Sequence, residues 1–488
     1  MTLNDKIVKG SIWSLIGTSG YQIFGLIIFV TPSRILTPVD FGTAALAIVF
    51  VELCNVIISF GLVEVIVRTQ QHKNIENDVF IITLVLGTLV CLLFLCTAPF
   101  LEHLFSSPGL AVSLQCLAIV PFMQGLAVVP EGILRREFKF KALAIRVLGS
   151  SVVAGIIAII LAFNGFGFYS LIIQRIISTL FSLLLVWKGI SWKPKCQFKH
   201  VHFMSVLKQG QPIMFNLLIG QGIFRFVELI IGFCLGPVVL GYFKIAGKLF
   251  DVIVQFMLKP IVDVSYSAFS NLKHETVKLE NCYLNFIKTC SIVAFPAFMG
   301  VALIGPESVE LFFGNKWAVS GNILQILCLG GISATLNWFF GPLCNATDNS
   351  QIPYKVRMFE FCLILSLVYI TSQYSIYYVA FASVSVAALI TIIMLKLISR
   401  LFSITMLDII KQLMPSLISS LIMGSMVYIC MLYMPEDVYP LLRLSVFVLV
   451  GVITYLIINF VFFPAHIADL SSQFKKLMQR TRPKPVKN

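Results

Sequence analysis

Charge is scarce in this sequence, and its scarcity excludes the soluble classes of protein. Only 12% of the 488 residues are Asp, Glu, Lys or Arg, whereas 58% are apolar and the mean hydropathy is +0.94. Soluble domains carry about twice that share of charge. A water-soluble enzyme of this length would need far more polar surface, so we expect the chain to lie in a membrane.

Patterns that build metal sites or disulfide frameworks are also missing. The 12 Cys residues lie mostly inside apolar runs, with no CxxC pair and no Cys/His spacing typical of a metal site, and the six His residues lie in loops or at the ends of runs. The polar start, Met1 to Gly10, precedes an apolar run without a small-residue cleavage site, which favours a retained first helix over a signal peptide. We therefore expect no metal and no cofactor.

What is present is a series of long apolar runs bounded by Gly, Pro and charge. A membrane-spanning helix needs about 20 apolar residues, and only helices or closed barrels satisfy backbone polar groups in lipid. The runs lie near 11–31, 42–66, 79–100, 112–134, 142–163, 166–187, 212–234, 238–258, 283–304, 321–343, 358–372, 376–398, 412–433 and 440–463. They predict an all-α integral membrane protein with about 14 transmembrane helices, although the 238–258 run carries charges and the 358–372 run is short.

The net charge of +14 is compatible with nucleic acid, anionic lipid, an acidic substrate or membrane topology, and the positions of the charges decide among them. With the N-terminus inside, 28 of the 36 Lys and Arg residues fall in inside segments, three fall outside, and five lie within or at the ends of apolar runs. This asymmetry predicts that both termini are cytoplasmic. The excess is thus mostly a matter of orientation, so no nucleic-acid partner is expected, and the basic stretches 135–141 and 480–487 are expected to lie against anionic headgroups.

A seven-residue motif is repeated in the two halves of the chain. The segment 36–42 (LTPVDFG) recurs at 235–241 (LGPVVLG), and the same offset of 199 residues pairs Glu52 with Asp251. A common helix–loop–helix turn composition is the alternative explanation. Six helices fit into 199 residues, and an even number gives both halves one orientation about an axis along the membrane normal.

This repeat predicts the domain organisation, which is typical of transporters with a central cavity between two bundles. The predicted parts are an N-terminal six-helix bundle (1–187), a cytoplasmic linker (188–211), a pseudo-symmetric C-terminal six-helix bundle (212–398), and two further helices with a basic cytoplasmic tail (399–488).

Several short blocks occur in a fixed order between about residues 5 and 400. They are RILTPVDFG at 34–42, FGL at 60–62 with RTQ at 68–70, RREFKF at 135–140, LG at 235–236 with GY at 241–242, and FFGNKW at 312–317. In their order and spacing they resemble the Wzx-type polysaccharide flippases of the multidrug/oligosaccharidyl-lipid/polysaccharide (MATE-like) superfamily, above all the lipopolysaccharide and colanic acid exporter branch. Two positions depart from the family pattern: Phe233 stands where an Arg is frequent, and 266–269 (YSAF) lacks the usual Pro.

The resemblance implies a transporter rather than an enzyme. It would move undecaprenyl-pyrophosphate-linked oligosaccharide repeats across the inner membrane by alternating access, with membrane lipids, a polysaccharide polymerase and glycosyltransferases as further partners. One alternative is a cation-coupled multidrug antiporter of the same superfamily, which would need a cavity dominated by acidic residues. Another is a polysaccharide polymerase or ligase, which would need a large outside loop, and the longest outside segment, about 305–320, is too short for a catalytic domain.

Charged side chains inside the apolar runs are the candidate functional residues, because each costs about 2.5–3.5 kcal/mol to insert and such residues mark substrate pathways. The candidate substrate-binding residues are Arg34, Gln221, Arg225, Lys244 and Lys248. The candidate coupling or charge-pairing residues, which pair with the cations or bind H⁺ or Na⁺, are Glu52, Glu64, Glu228 and Asp251. The cations would bind the pyrophosphate, for which the donor fork of Arg is well suited.

A structural role remains the alternative for several of these residues. Arg225–Glu228 and Lys248–Asp251 have the i,i+3 spacing of pairs that neutralise one another between packed helices. Lys244 has no partner at helical spacing, which favours it as a ligand. Arg34 is equally compatible with the outer mouth of the cavity and with a turn, and the role of Arg175 stays open.

Overall fold

The computed structural model describes residues 20, 22, 24–69, 75–195, 200–435 and 437–464, and in these residues the only regular elements are helices. The α-helices are α1 Phe24–Ile35, α2 Pro38–Ser59, α3 Leu62–Arg68, α4 Glu76–Leu104, α5 Leu110–Leu117, α6 Ile119–Arg136, α7 Phe140–Phe163, α8 Tyr169–Lys188, α9 His200–Cys234, α10 Gly236–Ile253, α11 Lys259–Asn271, α12 Thr276–Phe313, α13 Ala318–Cys328, α14 Gly331–Ala346, α15 Gln351–Ser372, α16 Ile376–Leu401, α17 Met406–Tyr433 and α18 Pro440–Phe462. A π-helical turn, Val254–Leu258, joins α10 to α11, and a 3-10 turn, Asn315–Trp317, follows α12. The all-α prediction is confirmed.

Ten helical segments of the described chain are long and apolar enough to cross a membrane, and eleven if α13 and α14, bent by 57°, form one broken span. The predicted runs 238–258 and 358–372 are also helical, but α10 and α15 each carry three charged residues and so fall short of that standard. Most of the first run, 11–31, lies outside the described residues. The count of 14 spans and the cytoplasmic termini therefore stay predictions.

The helices α2 and α10 each begin inside one copy of the repeated motif, at a tight turn. At the start of α2, the Thr37 hydroxyl accepts a hydrogen bond from the Asp40 backbone N–H, the Asp40 carboxylate accepts one from the Thr37 N–H, and Pro38 fills the first helical position. Between α9 and α10, the Leu235 N–H donates to the carbonyl of Ile231. These turns fix where α2 and α10 start.

The two copies of the repeated motif contact each other reciprocally. A Cβ atom at Gly42 would overlap the carbonyl oxygen of Pro237, and one at Gly241 would lie 3.0 Å from the carbonyl oxygen of Pro38. Position 42 corresponds to 241, and 38 to 237, at the offset of 199 found in the sequence. Equivalent positions of the two segments thus face each other in the structure, while the internal repeat itself stays a prediction.

A short segment after α12 binds the backbone of the α1–α2 turn. The Lys316 ammonium donates to the carbonyl oxygens of Arg34 (2.8 Å) and Leu36 (2.6 Å), and the Trp317 indole N–H donates to that of Ser33 (2.8 Å). The Trp317 side chain is fully buried, with ring contacts to residues of α2 and α10. We call Lys316 and Trp317, with these contacts, the carbonyl clip.

The chain divides into two compact units. Unit one comprises residues up to Ile245 together with Phe312–Trp317 and Arg357–Ala382. Unit two comprises Ala246–Leu311, Ala318–Val356 and the residues from Ser383 onward. The predicted bundle and linker boundaries at 187, 211 and 398 stay predictions.

Inside unit one, ion pairs join the helices near the basic stretch 135–141. The Arg136 guanidinium lies 2.7 Å from the Glu76 carboxylate, and Glu131 accepts hydrogen bonds from both Arg135 (2.6 Å) and Arg146 (2.7 Å). The side chains of Arg136 and Arg146 are mostly buried. These Arg residues therefore help to hold α4, α6 and α7 together.

Inside unit two, the hairpin formed by α17 and α18 is attached to α12 by polar contacts. The Tyr455 hydroxyl donates to the carbonyl oxygen of Ile292 (2.8 Å), and the Arg443 guanidinium lies 2.8 Å from the Glu307 carboxylate. Since most of the surface of α18 is apolar and exposed, these contacts help to hold it against α12.

Candidate functional site

Five charged side chains from four helices of unit one form an alternating series. The series runs Arg175 (α8), Glu52 (α2), Arg225 and Glu228 (α9), Lys244 (α10). The distances are 3.8 Å from Arg175 Nη2 to Glu52 Oε1, 2.9 Å from Arg225 Nε to Glu52 Oε2, 3.0 Å from Arg225 Nη1 to Glu228 Oε2, and 2.8 Å from Lys244 Nζ to Glu228 Oε2. We call these five residues the charged cluster.

Local structure explains why these side chains meet. Arg225 and Glu228 are three residues apart on α9 and so share one face of the helix. The turn at Leu235–Gly236, where Gly236 has a φ of 86°, reverses the chain, so that α10 brings Lys244 back beside Glu228. Glu52 arrives from α2, which packs along α9.

The charged cluster carries a net positive charge, and its side chains are partly shielded from water. Three cations and two carboxylates leave a net charge of +1. The Glu228 side chain is 10% exposed and that of Lys244 is 16% exposed, whereas those of Arg175 and Arg225 keep about a third of their surface. Charges in such a setting interact more strongly than in water. The guanidinium groups can hold phosphate oxygens in paired hydrogen bonds, and the ammonium adds a point charge.

The structure brings together four of the nine residues predicted from the sequence. Those four are Glu52, Arg225, Glu228 and Lys244. The other five have these positions: Gln221 is exposed one turn before Arg225 on α9, Glu64 is in the first turn of α3, Arg34 is exposed at the end of α1, and Lys248 and Asp251 lie on the part of α10 that belongs to unit two.

Two contacts of the charged cluster could not be predicted from helical spacing. Lys244 contacts Glu228 on a different helix, a partner that helical spacing could not predict, so the lack of a partner at helical spacing no longer favours Lys244 as a ligand. Arg175, whose role the sequence left open, joins the cluster through Glu52. Its position within an apolar run beside the polar Gln174 was the one available signal.

The predicted Arg225–Glu228 pair is present, with the guanidinium 3.0 Å and 3.3 Å from the two carboxylate oxygens. Arg225 also contacts Glu52, so it is shared by both carboxylates of the charged cluster. The structural and the functional interpretations of this pair are thus compatible, because the same side chain links α9 to α2 and keeps about a third of its surface exposed.

Comparison with known families and curated proteins identifies relatives over most of the chain. The family described as polysaccharide biosynthesis protein matches residues 33–321. Lipopolysaccharide biosynthesis protein WzxC of Escherichia coli (strain K12) is 23% identical over 386 residues, which are 76% of each chain. Succinoglycan biosynthesis transport protein ExoT of Rhizobium meliloti (strain 1021) is 25% identical over 334 residues, 67% of each chain. The resemblance to the Wzx-type proteins is confirmed.

Solved structures give the same fold. The lipid II flippase MurJ, in an inward closed conformation, superposes with a TM-score of 0.77 at 18% identity and covers 93% of this chain and 100% of its own. An inward-facing multidrug resistance MATE family transporter of the MOP superfamily superposes with a TM-score of 0.58 at 17% identity, covering 80% of this chain and 93% of its own. The chain is therefore a multi-pass membrane protein with the fold of this transporter superfamily.

Proposed function

The chain belongs to the polysaccharide biosynthesis protein family, and from that premise we propose that it is a flippase for lipid-linked oligosaccharides. It moves the repeat unit of a surface polysaccharide across the inner membrane, with no covalent step. The observation that carries the proposal is the combination of the transporter fold with a cluster of three cations and two acids on α2, α8, α9 and α10, the first three of which are long and apolar enough to span a membrane.

The chemistry of the charged cluster supports this choice of substrate. A headgroup of pyrophosphate and sugars combines phosphate anions with hydroxyl groups, and a bilayer excludes both unless the protein supplies partners. Arg175, Arg225 and Lys244 offer the cations that the pyrophosphate needs, while the prenyl chain stays in lipid. The undecaprenyl carrier, the exposed Gln221 as a hydroxyl partner and Lys248 as a further cation belong to the same proposal.

Transport proceeds by alternating access, with the headgroup loaded from the inner leaflet. An inside-negative potential favours outward movement of an anion by about 2.3 kcal/mol per charge per 100 mV. Uniport is therefore energetically sufficient. Glu52, Glu64 and Asp251 are the candidate sites for H⁺ or Na⁺ if a second gradient contributes.

The principal rival is a cation-coupled multidrug antiporter of the same superfamily. Such a protein needs acids in excess where its cationic substrate binds, whereas cations are in excess in the charged cluster. A polysaccharide polymerase or ligase is a weaker rival, since α12 and the 3-10 turn occupy most of the segment 305–320 that would have to hold its catalytic domain.

The proposal is tested with the full chain in proteoliposomes that contain a fluorescent pyrophosphate-linked prenyl oligosaccharide. The membrane potential and the proton and sodium gradients are set separately. We expect flipping that responds to the potential, and a loss of at least about tenfold when Arg225 and Lys244 are both replaced by Ala. A matched control is Lys273→Ala, because Lys273 of unit two is paired with Asp348 (3.1 Å), a pair that includes no residue of the charged cluster.

Three outcomes would count against the proposal. Flipping of the lipid-linked substrate that is no faster than in empty liposomes would remove the function. Full activity in the Arg225→Ala, Lys244→Ala double variant would leave the function in place and remove the site. Export of a cationic dye driven by a proton gradient would favour the antiporter.

A further inference from the structure

All three cations of the charged cluster already contact a carboxylate. Arg175 and Arg225 lie beside Glu52, while Arg225 and Lys244 lie beside Glu228. An incoming phosphate group would meet cations whose positive charge is partly compensated. Binding is therefore an exchange of one set of oxyanions for another rather than the filling of bare cationic sites.

We propose that Glu52 and Glu228 are internal competitors of the substrate's phosphates. They hold Arg175, Arg225 and Lys244 when no substrate is bound, yield these cations to the pyrophosphate when it arrives, and take them back when it leaves. This inference rests on the proposed function, since it assigns a role to the acids of the same site. The acids thereby lower the affinity of the site and speed the release of the headgroup.

Carboxylate and phosphate are chemically suited to this exchange. Both are oxyanions that accept charge-assisted hydrogen bonds from guanidinium and ammonium groups at similar distances. A transporter gains nothing from binding its substrate tightly on both sides of the membrane, because a strongly bound headgroup would not leave. With both acids present the charged cluster carries +1, and without Glu52 it would carry +2, which attracts a phosphate more strongly.

The geometry indicates which acid yields first. Glu228 is nearly buried, and two cations on the same α9–α10 hairpin contact it at 2.8 Å and 3.0 Å. Glu52 is 24% exposed; Arg225 lies 2.9 Å from it, and Arg175 lies 3.8 Å from it, at the outer limit of an ion pair. Because Glu52 is the more exposed of the two acids and its contact with Arg175 is long, we expect it to be displaced before Glu228. Arg225, which contacts both acids, is the cation that changes partner.

The test measures binding of inorganic pyrophosphate to the purified full-length protein by isothermal titration calorimetry. We expect Glu52→Gln to bind pyrophosphate about tenfold more tightly than the wild-type protein, because Arg175 and Arg225 would each lose one competing carboxylate. Arg225→Gln should bind it more weakly. Asp348→Asn, which removes an exposed acid of the Lys273 pair, is the matched control and should leave the dissociation constant unchanged.

In the flipping assay, the same variant should separate loading from release. Glu52→Gln should reach half-maximal flipping at a lower substrate concentration and have a lower maximal rate. A merely structural role for Glu52 would instead lower the rate without tightening the binding. If Glu52→Gln does not fold, Glu52→Asp is the second variant. It keeps the negative charge on a shorter side chain, and we expect it to bind pyrophosphate more tightly than the wild type, by less than the tenfold expected of Glu52→Gln.

Each outcome bears on one claim. Unchanged or weaker pyrophosphate binding by a folded Glu52→Gln or Glu52→Asp protein overturns the competition, including the case in which neither the wild type nor the variant binds. Binding by Glu52→Gln alone supports it strongly. Failure of the wild-type protein to flip the lipid-linked substrate overturns the proposed function, and that result is independent of the comparison between wild type and variant.

Discussion

Gly42 and Gly241 occupy the same position in the two copies of the repeat, and a methyl group on Gly241 would lie only 3.4 Å from the α-carbon of Gly42. Each glycine also faces the proline of the other copy. The helices α2 and α10 thus meet backbone to backbone, where neither partner can yield by rotating a side chain.

This close approach predicts a strong effect of Gly42→Ala. The new methyl group would overlap the Pro237 carbonyl oxygen, so the backbones must separate. Overpacking costs about 1–3 kcal/mol even when side chains can rearrange, and we expect at least that loss here. The thermal unfolding midpoint of the detergent-solubilised protein measures it. Gly247→Ala, also on α10, is the control, since a Cβ there meets nothing within 4 Å; equal midpoints for the two variants would contradict the prediction.

The carbonyl clip makes a second prediction. Trp317→Ala removes a fully buried ring and the hydrogen bond to Ser33, and we expect a loss of about 3–5 kcal/mol. Trp317→Phe keeps much of the ring and loses the N–H donor, so it should cost less, about 1–2 kcal/mol. Chemical or thermal unfolding compares them. If Phe were as damaging as Ala, the hydrogen bond would matter more than the packing.

The Lys244–Glu228 contact predicts non-additive effects on stability. Lys244→Met leaves the nearly buried Glu228 with one cation fewer, and we expect a cost of up to about 3 kcal/mol. Adding Glu228→Gln removes the stranded charge, so the double variant should be more stable than Lys244→Met alone. A double-mutant cycle on the unfolding midpoint gives the coupling. Additive effects would show that the two groups do not interact.

A fourth prediction concerns the attachment of α18 in unit two. Tyr455→Phe removes the hydrogen bond to the Ile292 carbonyl, and we expect a loss of about 0.5–1.5 kcal/mol, the usual range for such bonds inside a membrane. Tyr428→Phe is the control, because the Tyr428 side chain on α17 is 54% exposed. Protease accessibility of the α17–α18 hairpin reports the local effect. Equal accessibility in both variants would argue against a role of this bond in docking.

Much of the fold was predictable because apolar length and motif spacing are properties of the sequence itself. Runs of about 20 apolar residues became helices, and the offset of 199 residues located two segments that contact each other in the structure. The bend between α13 and α14 and the π-helical turn after α10 were not predictable. They depend on how neighbouring helices pack, which hydropathy does not record.

The charged cluster was predictable only where its partners share a helix. Arg225 and Glu228 are three residues apart, and that spacing was sufficient to pair them. Glu52 on α2 and Lys244 on α10 contact the same pair, but they are far from it in the sequence. Helical spacing relates only residues of one helix, so it could not predict these contacts. The cluster therefore emerges only when the helices are placed in space.

The carbonyl clip recognises main-chain oxygen atoms of residues 33, 34 and 36 rather than their side chains. The clip therefore sets no requirement on the side chain of the exposed Arg34, and Ser33 and Leu36 are constrained only by their own burial. A one-residue insertion or deletion in this turn would be far more harmful than any single replacement, because it would move the carbonyl groups out of register with the two donors. Among related chains, we expect the number of residues in this turn to vary less than the residue at position 34.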